Sequence, residues 1–390
     1  MPAFRVRRFR VMRLTVLVAL AAALAAPAPA QSLAVVVPQT DQARAAWQAL
    51  EEARYKDAEA AFTRALASRP DDAALLVGSA IVARRLGRAV DARDALTRAL
   101  RIDPALTPAS QLLGTLLHEA GDVEGAIRVY EAALVRAPDH EQLLARLEDW
   151  RKESFLHDQF QQTRGGHFTV LFEGRAEEQL ASAAVDILEA AYARVGDYLL
   201  VYPPEPVTVV LYTQQQFRDV TRTPGWSGGL FDGRIRLPVR GGLDNREELE
   251  RVLTHEYVHA LLFSAAPTGV PAWLNEGLAT ALEPGGLERA ERELSRAQAA
   301  IPLKDLRRSF ASLPADRVAL AYGVSALAVQ ALLDRAGPVR VMGLLRDLSA
   351  GEPLEPAFES WIQISLGDFE REWAACAGAS ARAPRPRGPR

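Results

Sequence analysis

The sequence predicts an α+β protein, in which an N-terminal all-α solenoid is followed by a mainly helical domain with a small mixed β-sheet. Two observations predict this fold class. In the first half of the chain, prolines, alanines and large apolar residues recur every 34 residues, a period typical of stacked helix pairs. In the second half, short β-branched or alternating stretches precede long segments with helical periodicity. The length of 390 residues allows two or three domains.

The amino-terminal residues 1–30 have the layout of a secretory signal peptide. Five arginines precede a largely apolar run over residues 14–26, and Ala28-Pro29-Ala30 offers a small-residue cleavage site. This run is too short to cross a bilayer comfortably, and no cysteine near Ala30 could carry a lipid. We therefore expect a bacterial protein that is periplasmic or secreted, without a stable membrane span after cleavage. The export route, general or twin-arginine, stays open.

Composition excludes several classes of protein. Hydrophobic residues make up 49% of the chain, which is ample for buried cores and excludes a disordered protein. Removing the leader takes away five of the 46 basic residues and none of the 49 acids, which leaves a net charge of −8. That charge disfavours nucleic acid or an anionic membrane as the main partner. Cys376 is the single cysteine, so no intramolecular disulfide is expected.

The repeats extend over about three copies, from Gln42 to His140. A proline ends each copy, where a helix must stop, and small residues in register let paired helices approach while large ones fill the gaps. The columns are Pro70, Pro104 and Pro138; Ala58, Ala92 and Ala126; Ala65, Ala99 and Ala133; Ala46, Ala80 and Gly114; and Phe62, Leu96 and Tyr130. This pattern resembles tetratricopeptide repeats. With a capping helix at residues 143–155, it assigns residues 31–157 to a repeat domain.

The repeat domain has two open interpretations. Stacked helix pairs form a curved solenoid with a concave groove, and a protein partner or peptide could bind in that groove. Alternatively, the solenoid is a spacer that positions the following domain. Three repeats give a short groove without an aromatic or basic cluster, so the sequence does not decide between these roles.

Residues 158–378 are predicted to form the second domain. A half-buried strand is expected at His167–Phe172 and a β-branched strand at Val207–Tyr212, with a helix at residues 175–199 between them. A hairpin with its turn at Asp232-Gly233 follows over residues 230–239. From Glu288 onward the chain is predicted to be mostly helical. Residues 379–390, rich in proline and arginine, are predicted to form a disordered tail.

Two motifs in this domain point to a metal site. Residues 255–259 are His-Glu-Tyr-Val-His, and Trp-Leu-Asn-Glu-Gly-Leu-Ala follows with Glu276 at its centre. Residues four apart on a helix share one face, so His255 and His259 can bind one metal ion. Glu256 lies beside that ion, where a carboxylate can accept a proton from a zinc-bound water. Glu276, from a following helix, would complete a His₂Glu zinc site with one open position.

Together these motifs resemble the gluzincin metallopeptidases, and more closely the bacterial peptidase MA-like domains that are often found beside tetratricopeptide repeats. The resemblance extends roughly from His167 to Trp373. It implies Zn²⁺ as the cofactor, with His255, His259 and Glu276 as ligands and Glu256 as the general base. The segment that binds a substrate amino terminus in the aminopeptidase branch has no counterpart here, so exopeptidase residues are not carried over.

The same resemblance implies two further roles. An edge strand near the metal would hold the substrate backbone by strand addition, and residues 234–239 are the candidate; the alternative is an ordinary structural strand. Tyr322 would donate a hydrogen bond to the oxyanion; the alternative is a packed helix tyrosine. The remaining histidines are predicted to be ordinary surface or repeat residues outside the metal site, namely His118, His140, His157 and His167.

The sequence therefore predicts an exported zinc metallopeptidase, an endopeptidase rather than an exopeptidase, that hydrolyses protein or peptide substrates through a zinc-bound water activated by Glu256. The repeats would bind a partner or the substrate. The alternative is a repeat scaffold or binding protein with a vestigial or structural metal site. A third interpretation, hydrolysis of a non-protein amide such as a cell-wall cross-link, needs a substrate screen to separate it from proteolysis.

Overall fold

The computed structural model describes residues 40–221, 229–238, 245–297, 300–310 and 313–382. The predicted signal peptide at residues 1–30 lies outside these residues. Within them, seven helices are followed by a small mixed sheet and eight further helices. This arrangement confirms the predicted fold class, a helical repeat region ahead of a mainly helical domain with a small sheet.

The repeat region consists of three helix pairs and one further helix. The alanines and the large residues of the 34-residue columns are buried in its three core clusters, and the three exposed prolines lie in the turns after α2, α4 and α6. Small side chains at these positions let the helices approach, which explains why the period is so regular. The helices are α1 (Asp41–Glu51), α2 (Tyr55–Ser68), α3 (Ala73–Arg85), α4 (Ala89–Ile102), α5 (Thr107–Glu119), α6 (Val123–Leu134) and α7 (Glu141–His157).

The sheet has five strands in the order β1-β2-β3-β5-β4. Its inner pairs, β2 with β3 and β3 with β5, are parallel, and the two outer pairs are antiparallel. The predicted strands at residues 167–172 and 207–212 and the predicted hairpin are present. No sequence pattern indicated β1, which is short and polar. The strands are β1 (Gln161–Arg164), β2 (Phe168–Phe172), β3 (Val207–Tyr212), β4 (Leu230–Phe231) and β5 (Ile235–Pro238).

The assignment of the substrate strand to a sheet edge is wrong. The sequence predicts an edge strand over residues 234–239, but β5 lies between β3 and β4 and has a partner on both sides. Val239 lies outside the described residues. In the described part of the chain, the two-residue strand β4 is the edge strand on this side of the sheet, because β4 pairs with the outer side of β5. A substrate backbone added at this edge would therefore pair with β4.

The helix over residues 246–265, α10, is buried over almost its whole length from Leu249 to Leu262, and it packs against the helices at residues 178–199 and 272–282 and against the sheet. A helix that is apolar on several faces becomes a central core helix. The helix α10 (Arg246–Ala265) starts at Asn245, whose Oδ1 accepts a hydrogen bond from the Glu248 amide. The other helices are α8 (Glu178–Leu199), α9 (Gln214–Thr221), α11 (Ala272–Leu282), α12 (Gly286–Arg296), α13 (Ala315–Ser349), α14 (Leu354–Ile362) and α15 (Leu366–Arg382).

Helix α13 is long and interrupted, and helix α15 extends into the predicted tail. Of the described residues, only α13 forms a helix long and apolar enough to cross a membrane; 61% of its most apolar stretch is buried inside the molecule, as is common for core helices. It is interrupted at Gly337, whose φ of 77° is not helical, directly before Pro338. The last helix, α15, continues to Arg382, four residues into the predicted disordered tail. Its alanine-rich end favours helix, and residues 383–390 lie outside the described part.

The repeat region contacts the second domain through the turns that join the helices of each pair. One position of the 34-residue period recurs in these turns with positive φ, namely Ala53, Gly87 and Gly121. These residues lie against Gly351, Pro267 and the guanidinium of Arg234, respectively. In the third turn the approach is close: Gly233 has a φ of 100°, and a β-carbon there would lie 2.4 Å from the carbonyl oxygen of Glu119. All three helix pairs are therefore attached to the second domain.

Candidate metal centre

Two helices bring the three predicted ligands together. His255 and His259 lie one turn apart on α10, and Glu276 lies on α11, which begins after Pro271. Oε2 of Glu276 is 3.7 Å from Nε2 of His255 and 3.5 Å from Nε2 of His259. The three ligand atoms all lie within 4.8 Å of one another, and all three side chains are buried. Neighbouring ligands around tetrahedral zinc are about 3.3 Å apart, so the cluster has suitable dimensions.

The hydrogen bonding of these atoms also fits a metal ion. Nε2 of both histidines and Oε2 of Glu276 are buried without a hydrogen-bond partner among the described residues. Buried polar atoms are normally paired, because an unpaired one costs about 1–3 kcal/mol. Three such atoms that converge on one point are the arrangement expected when the missing partner is a cation. Two imidazole nitrogens and one carboxylate oxygen are a donor set that suits zinc.

The outward-facing nitrogen of each imidazole has its own partner. Nδ1 of His255 donates to Oε2 of Glu283 at 2.9 Å, and Nδ1 of His259 lies 3.3 Å from Oδ1 of Asn275. A proton held on Nδ1 leaves Nε2 free as a metal ligand. Glu283 is 6% exposed, and Arg251 and Arg289 form ion pairs with the same carboxylate. These contacts orient the His255 ring toward Glu276.

Sequence reasoning missed Glu283. A signal was available, because Glu283 follows Glu276 by seven residues, and two turns along a helix return to nearly the same face. It was not decisive, since such spacing between glutamates is common on helices. The partners of Glu283 come from α10 and α12, which are distant in sequence.

The charges around His255 favour a cation at this point. Burial lowers the pKa of His255, but the facing carboxylates of Glu283 and Glu276 more than compensate and raise it to about 10. Burial opposes ionisation of Glu276 too, yet the neighbouring His259 and His255 lower its pKa. These carboxylates therefore favour a positive charge at this position. Metal binding requires the imidazole to be deprotonated.

Glu256 lies next to the three ligands and is fully buried. Both of its carboxylate oxygens are without a hydrogen-bond partner in the described part of the chain. Burial raises the pKa of Glu256 to about 8, while the charge of His255 acts in the opposite direction. Gly229, directly before β4, packs on this carboxylate: a β-carbon at residue 229 would come 2.5 Å from its Oε1. The edge strand thus begins beside the predicted base.

Tyr322 and the four remaining histidines lie further from the three ligand atoms than Glu256 does. Tyr322 is buried on α13, with its ring centroid 6.2 Å from that of His255 and an edge-on contact to Phe310. His140 caps α7 and His167 pairs with Glu189 near the surface. His118 and His157, in contrast, are largely buried, because Glu153 lies against both side chains and Arg234 of the β4–β5 hairpin lies against His157. None of these four histidines joins the metal cluster.

Comparison with known proteins assigns both halves of the chain. Residues 49–105 and 83–148 match the tetratricopeptide repeat family, and residues 189–379 match the Peptidase MA superfamily. No curated protein matches the chain. The second match includes α10, α11 and α13, and therefore every residue of the cluster described above. The chain thus joins tetratricopeptide repeats to a domain that belongs to the Peptidase MA superfamily.

Proposed function

We propose that this protein is an exported zinc-dependent endopeptidase. The observation that carries the proposal is the convergence of three unpartnered ligand atoms, from His255, His259 and Glu276, beside an equally unpartnered carboxylate. A purely structural zinc site would have no need of Glu256 next to the ligands. Membership in the Peptidase MA superfamily supports a peptidase, and buried His₂Glu ligands support a metal-dependent one.

The residues of the site divide the chemistry among them. When bound, zinc polarises the scissile carbonyl and lowers the pKa of its water toward 7. Glu256 then takes the proton of the attacking water and returns it to the amine that leaves. The carboxylate is buried and has no hydrogen-bond partner in the described part of the chain, so it is available for this proton transfer. Tyr322 is the proposed donor to the oxyanion.

The remaining parts of the proposal concern substrate and location. Protein or peptide chains are the proposed substrates, with the backbone added to the β4 edge beside Gly229. The layout of residues 1–30 supports export to the periplasm or beyond. The repeats support a protein partner, as tetratricopeptide repeats suggest protein–protein interaction.

The test replaces the proposed base. In Glu256→Gln, we expect kcat to fall about 10²- to 10⁴-fold, because general base catalysis contributes that much, while bound zinc stays at one ion per chain. Cleavage of fluorescently labelled casein, with and without a chelator, measures activity, and atomic absorption measures zinc. The matched control is Glu250→Gln, an exposed glutamate of the same helix, which should leave both unchanged. Undiminished, chelator-insensitive cleavage by Glu256→Gln would refute the proposal.

A further inference from the structure

A buried cluster of charged residues joins the repeat region to the β4–β5 hairpin. Glu153 of α7 is 4% exposed. Its Oε1 forms an ion pair with Nη1 of Arg236 at 3.0 Å and accepts a hydrogen bond from Nη1 of Arg234 at 3.3 Å. Its Oε2 pairs with Nε2 of His118 at 2.8 Å. One carboxylate from the repeat region therefore holds two arginines of the hairpin and a histidine of α5.

Arg236 also contacts the hairpin turn and a neighbouring strand. Its Nε donates to both oxygens of Asp232 in the hairpin turn, at 2.8 and 3.0 Å, and its Nη1 donates to the hydroxyl of Tyr212 in β3 at 2.7 Å. In the sheet, Arg236 pairs with Leu230 of β4. Glu153 thus fixes a guanidinium that ties the turn and β4 to the centre of the sheet.

The same hairpin forms the edge beside the metal centre. Gly229 directly precedes Leu230 and is packed on the Glu256 carboxylate. A shift of β4 by about 1 Å would disturb the backbone hydrogen bonds by which an added substrate is held. Hydrogen bonds weaken steeply when donor and acceptor are displaced by this much, so the substrate would bind less tightly. The placement of β4 depends on the hairpin, and Glu153 anchors the hairpin.

A stabilising role alone does not explain such a cluster. Replacing buried ion pairs by well-packed apolar residues is often neutral or stabilising, so a buried pair is weak evidence for stability. What distinguishes the charged cluster from an apolar contact is its directional hydrogen bonds and ion pairs, which permit only one arrangement of the hairpin. That property is useful where the hairpin has to hold a strand edge in a defined position.

We propose that Glu153 is a positioning residue, through which the repeat region holds the β4–β5 hairpin where β4 can accept the substrate backbone. This inference rests on the proposed peptidase function. It gives the repeats a role that neither a distant recruiting groove nor an inert spacer would have. The repeat region completes the substrate-binding edge of the active site.

The test compares two glutamates of α7 in the full chain. Glu153→Gln removes the carboxylate charge at the hairpin, and the matched control Glu148→Gln changes an exposed glutamate that pairs with Lys152. With labelled casein as the probe, we expect Glu153→Gln to raise KM about tenfold and to change kcat by less than about twofold, since loss of uniform substrate binding acts on KM. Bound zinc should stay at one ion per chain. Glu148→Gln should match the unmodified protein in all three quantities.

A second variant keeps the test decisive if Glu153→Gln does not fold. Glu153→Asp retains the charge and withdraws it by one methylene, and KM should rise by a smaller factor. The proposal is overturned if the folded variants keep KM within twofold of the unmodified protein, or if they lose kcat and zinc together, as general damage to the domain would cause. Failure of the proposed function is a separate result, because it would appear as full activity in Glu256→Gln.

Discussion

At the scale of single residues, the site depends on groups that hold the ligands as well as on the ligands. Glu283 binds Nδ1 of His255, and Arg251 and Arg289 pair with the same carboxylate. The histidine therefore has one orientation, with Nε2 toward Glu276. Carboxylates in this position raise the basicity of a ligating imidazole.

Replacing this carboxylate should weaken metal binding. In Glu283→Gln we expect the dissociation constant for zinc to rise about 10- to 100-fold, because the amide cannot hold the imidazole proton as strongly. Competition with a chromophoric chelator measures the constant, and circular dichroism verifies the fold. Glu288→Gln, an exposed glutamate of α12, is the control. An affinity within twofold of the unmodified protein would show that Glu283 does not orient the ligand.

The ligands themselves were predictable because their spacing is local. Four residues on a helix fix the relation of His255 to His259, whatever the rest of the fold does. Glu276 was predictable through its surrounding motif. The burial of His157 was not, because its partner Arg234 lies 77 residues away in sequence. A histidine at the end of a helix carries no local sign of such a partner.

At the scale of elements, α10 is the helix on which the site is built, and its start can be tested. Asn245 accepts a hydrogen bond from the amide of Glu248 at 3.1 Å. In Asn245→Ala we expect the free energy of unfolding to fall by about 1 kcal/mol, with zinc content unchanged because the ligands begin more than two turns further along. Urea denaturation measures the difference. Asn245→Asp retains a capping oxygen and should lose much less, so equal losses in the two variants would contradict this role.

Elements were predictable where one residue pattern sufficed to define them. The helix pairs follow from the 34-residue columns, and β3 follows from its β-branched residues. The polar strand β1 exists because it pairs with β2, and the residues of Gln161–Arg164 do not by themselves predict this pairing. For the same reason the edge strand was assigned wrongly. Sheet order depends on contacts between distant segments, so alternation of Ile235 and Leu237 identified a strand but not its neighbours.

At the scale of the whole molecule, the two domains share a buried surface. Arg236 alternates with apolar residues along β5, a pattern that predicts an arginine facing solvent. It is 1% exposed instead, because α7 covers that face of the sheet and supplies Glu153. Such burial can be understood only from both domains together. The burial of charged and titratable groups also makes this junction between the domains, formed by Glu153, His157, Arg234 and Arg236, sensitive to acid.

The acid sensitivity arises first at His157. Its Nε2 lies 2.8 Å from the Tyr212 hydroxyl, and its Nδ1 faces Nη1 of Arg234 at 3.5 Å. Burial lowers the pKa of His157 to about 4; Glu153 opposes this shift, while Arg234, Arg236 and His118 add to it. Between pH 6.5 and 4 the unfolded chain binds a proton that the native chain does not, so native stability falls as pH falls. The loss from this histidine should reach on the order of 3 kcal/mol near pH 4.

Glu153 extends the effect to lower pH. Burial raises its pKa, but Arg236, His118 and Arg234 outweigh burial and hold it well below the ordinary value. Its stabilising contribution is therefore present above pH 4.5 and is lost as pH falls through the lowered pKa. Acid should thus weaken the junction in two steps, the first from His157 and the second from Glu153.

The first step can be isolated by comparing the full chain with His157→Gln. As pH falls from 7 to 4.5, we expect the unmodified protein to lose free energy of unfolding steadily relative to His157→Gln, because the histidine titrates and the glutamine does not. Urea denaturation at each pH measures it, with chelator in every sample so that metal release is the same in both proteins. Contributions from the metal ligands then cancel in the difference. A difference that stays constant across this range would mean that His157 titrates alike in the folded and unfolded chains, and that the junction does not hold it neutral.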